Sequence, residues 1–142
     1  MAENPENKRR ENVILVAEDD EAIQELIKLA LDERPYHVHV VAYGHEALRV
    51  IEHTTPLLLL LDYQMPSMTG LQLYDRLHLI PRLQRVPTII MSANLPIPEL
   101  EKRGIIGLQK PFSLDDLQGA IDRALRFAEI QQDRPGDSAK ER

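Results

Sequence analysis

Residues 57–61 are five consecutive leucines and position 62 is an aspartate, in the stretch "LLLLLDYQMPSMTG" at 57–70. A continuous apolar run of this length suits a strand covered on both faces, which restricts the chain to a sheet held between two other layers. An acid at the end of such a strand is costly to bury without a partner. Asp62 therefore either caps the helix that follows or acts as a nucleophile or metal ligand, because open α/β sheets bind their ligands at the C-terminal edge of the strands.

The remaining chain alternates between two kinds of segment. Strands are expected at 12–17, 37–43, 57–62, 86–92 and 106–109, and helices at 20–33, 44–53, 70–79 and 113–130, with at most two helical turns at 97–104. In the first helix Ala22, Ile23, Leu26, Ile27, Ala30 and Leu31 recur on one face, the 3.6-residue period of an amphipathic helix. In the last, Leu117, Ala120, Ile121, Ala124, Leu125 and Ala128 do the same, and Ser113 and Asp116 have capping-box spacing. Five βα units in series predict an α/β fold: a five-stranded parallel sheet in a doubly wound, three-layer αβα sandwich, with the fourth helix short or irregular.

A length of 142 residues fits one domain, expected at 12–130. The segments 1–11 and 131–142 are polar with mixed charges and read as disordered tails. A net charge of −6 disfavours a nucleic-acid-binding surface. The absence of cysteine removes disulfides and thiolate chemistry. The longest apolar run is too short to cross a bilayer and the one near the start is too brief for a signal peptide, so the cytoplasm is the expected location.

The polar residues at the strand ends carry the chemistry. Glu18, Asp19 and Asp20 follow the first strand, Asp62 ends the third, Ser92 the fourth, and Lys110-Pro111 the fifth. Each has an ordinary explanation: an acidic triplet complements a helix dipole, a serine makes a turn, a lysine is solvated. In a parallel sheet, however, all of them lie on one edge. Clustered carboxylates repel and call for a cation. With no cysteine, and no histidine at these positions, oxygen ligands favour a hard ion, Mg²⁺ or Mn²⁺. Lys110 suits an arriving anion, for which phosphate is the natural choice beside Mg²⁺. Asp62 would then be the nucleophile that forms an acyl phosphate.

The stretches "ILVAEDD", "LLLLLDYQMPSMTG", "IIMSA" and "LQKPF", in this order, resemble the receiver domain of bacterial response regulators over residues 12–130. The resemblance implies a flavodoxin-like fold and a phosphorylation-dependent switch of a two-component system or phosphorelay. Asp62 would accept a phosphoryl group from a sensor-kinase histidine. Glu18 and Asp19 match the acidic pair, with Asp19 the direct Mg²⁺ ligand, and Asp20 is the helix cap. Gln64 would offer its backbone carbonyl to the metal. Ser92 would move its hydroxyl onto the phosphoryl group, and Lys110, whose bond to Pro111 is expected to be cis, would contact phosphoryl oxygens. Pro66 and Gly70 would shape the loop after Asp62. The implied partners are a sensor histidine kinase or histidine phosphotransfer protein and a downstream protein target, with no nucleic acid and no membrane. The domain is expected to stand alone and to be no enzyme beyond taking part in its own phosphorylation and dephosphorylation.

Two features depart from that pattern. Three positions before Lys110, where the family usually has an aromatic residue, this chain has Gly107. The segment between Ser92 and Lys110 is shorter than usual by about one helical turn, and Pro96 and Pro98 disfavour a helix there. These departures support a rival reading, a non-switching protein-binding module. A second rival, a haloacid-dehalogenase-like phosphohydrolase, needs another Asp two residues after the nucleophile, where Gln64 stands. His37 and His39 read as a solvated strand face, and Arg76, Arg82 and Arg85 as a solvated basic patch or docking edge.

Overall fold

The computed structural model describes residues 12–32 and 34–132, so the expected tail at 1–11 and residues 133–142 of the one expected at 131–142 lie outside the described residues. The elements follow in the order β1 (Val13–Ala17), α1 (Glu21–Leu31), β2 (His37–Val41), α2 (Gly44–Ile51), β3 (Leu58–Asp62), α3 (Gly70–Leu77), β4 (Thr88–Ser92), α4 (Ile97–Arg103), β5 (Ile106–Gln109) and α5 (Leu114–Gln132). All five strands are parallel, in spatial order β2-β1-β3-β4-β5. The expected doubly wound sandwich is the one observed. The last helix runs two residues beyond the expected boundary.

The leucine run explains the layering. Leu58, Leu59, Leu60 and Leu61 are all fully buried, and side chains alternate between the two faces of a strand. Leu59 and Leu61 join Leu15, Ala17 and Ile90 against α2, α3 and α4. Leu58 and Leu60 join Ile14, Val16, Ile89 and Met91 against α1 and α5. Each leucine withdrawn from water contributes roughly 1.5–3 kcal/mol, so this strand anchors both half-cores. At the edge of the sheet, His37 and His39 are exposed, in keeping with a solvated face.

The chain switches direction between β1 and β3: β2 lies to one side of β1, and β3, β4 and β5 lie to the other. The loops leaving β1 and β3 consequently diverge and open a crevice at their C-terminal ends. Caps fix the helices that start there. Asp20 accepts from the Ile23 amide at 3.1 Å. Thr69 and Gln72 exchange bonds of 3.1 and 2.9 Å, and Ser113 and Asp116 form the expected box at 3.0 Å each way.

Two expectations change. Pro96 and Pro98 do not block α4: they occupy its cap and first turn, where a helix needs no amide donors. Gly104, at φ 68°, ends the helix in the left-handed region. Arg76, Arg82 and Arg85 do not form one patch. Arg82 turns inward and donates to the carbonyls of Ile51 and Thr54 and to Thr55 Oγ1, satisfying the C-terminal end of α2. His78, just after α3, stacks on Tyr74 with ring centroids 3.8 Å apart.

Arg34, after α1, donates to both carboxylate oxygens of Asp122 on α5, at 2.7 and 3.4 Å. The Arg34 hydrogen bonds hold the Asp122 carboxyl below its ordinary range, against a smaller effect of burial. A depressed folded-state value means stability that is present above the ordinary aspartate range and lost as pH falls through it. The pair is partly exposed, so screening limits it to about 1 kcal/mol or less. Urea unfolding should show Asp122→Asn less stable than wild type at neutral pH, with the two converging as the pH falls through and below the ordinary aspartate range. A constant difference across that range would remove the carboxylate's charge from the explanation.

Candidate functional site

Glu18, Asp62 and Lys110 meet at the switch point. Glu18 follows β1 and is 0% exposed, while Asp62, the last residue of β3, is 5% exposed. Lys110 reaches over from the end of β5, placing Nζ 3.0 Å from Glu18 Oε1 and 3.1 Å from Asp62 Oδ1. Its backbone amide donates to the Ser92 carbonyl at 2.8 Å, which fixes where the side chain starts. The Lys110–Pro111 peptide is cis, as expected.

The electrostatics follow from burial. Burial pushes the Glu18 carboxyl above its ordinary value, and the Asp62 charge adds to this, against a hydrogen bond from the Asp20 amide and the attraction of the Lys110 ammonium. For Lys110 burial acts downward, but its pairing with the Glu18 and Asp62 carboxylates outweighs it and holds the ammonium above its ordinary value. Asp19, exposed at the rim, brings a third carboxylate; ligand oxygens of Glu18, Asp19 and Asp62 lie within 4.8 Å of one another. Three carboxylates against one ammonium leave two negative charges in excess.

The residues fit a hard divalent cation. Glu18 Oε2 accepts from the Asp20 amide at 3.0 Å, but Oε1 is buried without a hydrogen bond. Its contact with Lys110, at 3.0 Å, is an ion pair. A buried carboxylate oxygen short of a donor, in an all-oxygen set with excess negative charge, is what Mg²⁺ takes as a ligand.

The other expected residues also converge here. Ser92, at the end of β4, is buried, and its Oγ accepts from the Asn94 amide at 3.1 Å. Gln64 is exposed, with its amide 3.4 Å from Asp62 Oδ1. Asp20 is the cap of α1. Gly70 serves by close approach: a Cβ there would stand 2.5 Å from the Asp62 carbonyl oxygen. The left-handed residue of this loop is Ser67, at φ 72°. Two supports had no signal in the sequence beyond being polar residues near strand ends. Gln24 donates its side-chain amide to the Glu18 carbonyl, and Gln109 donates to the carbonyls of Ala93 and Lys110.

This fold, with an acidic pair, a strand-end aspartate and a bridging lysine at its switch point, is that of a signal receiver. Residues 14–122 match the response regulator receiver domain, and the chain belongs to that family. It is 31% identical over 119 residues to the phosphate regulon transcriptional regulatory protein PhoB of Rhizobium meliloti (strain 1021), covering 81% of this chain and 52% of that protein. The chain thus spans about half the length of that relative. Among solved structures, the chemotaxis response regulator CheY4 of Vibrio cholerae superposes with a TM-score of 0.73 at 25% identity, covering 80% of this chain and 98% of that one. The receiver domain of sensor histidine kinase PA1611 from Pseudomonas aeruginosa PAO1, with magnesium coordinated in its active-site cleft, superposes with a TM-score of 0.70 at 29% identity, covering 80% and 97%. No helix among the described residues is long and apolar enough to cross a membrane.

A cation that binds the folded state alone raises the melting temperature by mass action, adding about 1.4 kcal/mol at ten times its dissociation constant. Mg²⁺ should therefore raise the melting temperature of the wild type. Asp19→Asn should lose most of that response and Glu18→Gln a smaller part. Equal responses from all three proteins would place the ion elsewhere.

Proposed function

We propose that this domain is a phosphorylation-dependent signalling switch whose acceptor is Asp62. The observation that carries the reading is the Lys110 ammonium shared between buried Glu18 and Asp62 at the switch point of the sheet. Lys110 and the Gln64 amide both engage Asp62 Oδ1. Oδ2, which has no hydrogen-bond donor among the described residues, is the oxygen that attacks phosphorus. The donor is a phosphohistidine of a sensor kinase or histidine phosphotransfer protein. As the carboxylate–phosphorus bond forms, the nitrogen–phosphorus bond breaks and its electron pair returns to the imidazole. Glu18, Asp19, Asp62 and the Gln64 backbone carbonyl would hold Mg²⁺ (or Mn²⁺), which supplies charge neutralisation for the phosphoryl oxygens. Lys110 exchanges part of its pairing with Asp62 for a phosphoryl oxygen. In this reading the domain is no turnover enzyme; it takes part only in its own phosphorylation and dephosphorylation.

An apolar shelf of Ile23, Leu26, Pro111 and Phe112 flanks Lys110 and offers the donor protein a place to sit beside Asp62. Output proceeds through protein contacts to a downstream target. The Ser92 hydroxyl, now bonded to the Asn94 amide, turns onto the phosphoryl group, which frees that amide and draws on the loop 93–96. One observation favours the non-switching alternative. Gly107 has no side chain, and the volume a Cβ would enter is taken by methyl groups of Leu100 and Leu95, 3.0 and 3.1 Å away. In the switching reading, Leu95 is itself the moving wedge, because it lies on the loop that Ser92 pulls.

Incubation with Mg²⁺ and a small acyl-phosphate donor should add the mass of one labile phosphoryl group to the wild type and none to Asp62→Ala. Phosphate found on a histidine or serine, with Asp62 unmodified, would overturn the assignment. With beryllofluoride as phosphoryl mimic, hydrogen exchange outside the pocket should change most in residues 93–107. An unchanged segment with the pocket occupied would establish the non-switching module.

A further inference from the structure

A crevice of about 560 Å³ opens at the edge of the sheet opposite Asp62, around the starts of β4 and β5. Its walls come from α3 and α5, which pack on opposite faces of the sheet. The α3 wall carries the Tyr74–His78 ring stack and the α5 wall carries Arg123 and Phe127. Burial holds the His78 imidazole below its ordinary value, so at neutral pH it is an uncharged ring rather than another cation.

The lining is cationic in a chain of net charge −6: it includes Arg85, Arg103 and Arg123 and no acidic residue. These arginines are not equivalent. Arg103 is already committed, donating to Asp75 at 2.9 and 3.0 Å and to Glu99 at 3.1 Å. Arg123 has no hydrogen bond or ion pair among the described residues. One turn further along the same helix face, Phe127 is 53% exposed. An exposed phenylalanine alone needs no explanation. Here it stands beside an unpaired guanidinium at the mouth of a cavity of ligand size, with aromatic rings on the other wall.

We propose that this crevice binds a small organic anion with a flat apolar body, in class an aromatic carboxylate or sulfonate. The anion pairs with Arg123, and the body lies between Phe127 and the Tyr74–His78 stack. Inorganic phosphate would satisfy the charge and leave the apolar walls wet; a neutral hydrocarbon would leave Arg123 unpaired. The site shares no residue with the Asp62 cluster, so it stands independently of the phosphorylation reading.

The probe is 1-anilinonaphthalene-8-sulfonate, titrated by fluorescence against the full chain. Saturable binding to one site is expected, weakened about fivefold or more by Arg123→Gln and by Phe127→Ser. Lys28→Gln on α1 and Asp62→Ala should bind as wild type. N-phenyl-1-naphthylamine, the same ring system without the sulfonate, should bind about fivefold weaker to wild type and equally to Arg123→Gln. Both substituted side chains are exposed, and unchanged melting temperatures will verify that the variants fold. Probe affinity indifferent to both substitutions, or equal affinity for the neutral probe, sinks the proposal. Dimerisation that excludes the probe and disappears in Phe127→Ser would assign the face to a second copy of the chain and sink it equally.

Discussion

One ammonium group holds the functional edge of this molecule together. Glu18 and Asp62 are carboxylates at adjacent strand ends, both removed from water, and each costs several kcal/mol to bury unpaired. Lys110 is the cation that reaches both. It is attached at the far side of β4 from Asp62, 48 residues along the chain, and neighbouring strands are spaced about 4.8 Å apart. Only a long, flexible side chain can span that gap. The pairing therefore requires β5 to be in register with β4 and β4 with β3. The same ammonium remains available to an incoming anion, because its two partners leave an excess of negative charge that a cation can take over.

That arrangement was legible in the sequence to the extent that topology dictates it. Apolar runs separated by amphipathic segments imply a parallel sheet, and a parallel sheet brings every strand's C-terminal end to one edge. Glu18, Asp62, Ser92 and Lys110 had to meet once the strands were recognised. Caps formed by neighbouring residues, at Asp20 and at Ser113 with Asp116, were equally readable. Features that depend on distant backbone were not. Arg82 looked like part of a basic surface, but its donors satisfy carbonyls at the end of α2. Ala22 shares the helical period of Ile23 and Ile27 but is exposed, because periodicity reports a direction and not a depth. Gly70 looked like a residue of unusual φ, but its role is to let α3 start directly against the Asp62 carbonyl.

The loop after β4 shows how one absent side chain reorganises its surroundings. With glycine at 107, Leu95 and Leu100 close the space from the opposite direction. Gln109 then ties the Ala93 carbonyl to the end of β5, and Ser92 holds the Asn94 amide. The loop is thus fastened at three successive residues: 93 and 94 by hydrogen bonds and 95 by packing. Hydrogen bonds of this kind contribute about 1 kcal/mol each and are exchangeable for others, whereas the leucine contacts depend on shape. A pull at Ser92 meets weak polar resistance first and apolar packing only at Leu95.

Charge is distributed along the strand axis for a related reason. In βα units, helices begin at the C-terminal edge of the sheet and end at the opposite edge, so their dipoles align. Glu21, Glu46, Asp115 and Asp116 occupy first turns, and Lys28, Arg49, Arg76 and Arg103 last turns. The acid-rich edge around Asp62 consequently also receives the positive ends of α1, α3 and α5, which favours a phosphoryl anion there in spite of the carboxylates. At the other edge the basic last turns lie against negative helix ends and are largely compensated, as Arg103 is by Asp75 and Glu99. Arg123 belongs to neither group. It sits in the middle of α5, away from both helix ends, so no dipole neutralises it and no acidic residue among those described pairs with it. The helix dipoles account for the last-turn cations at that edge; a ligand would account for Arg123.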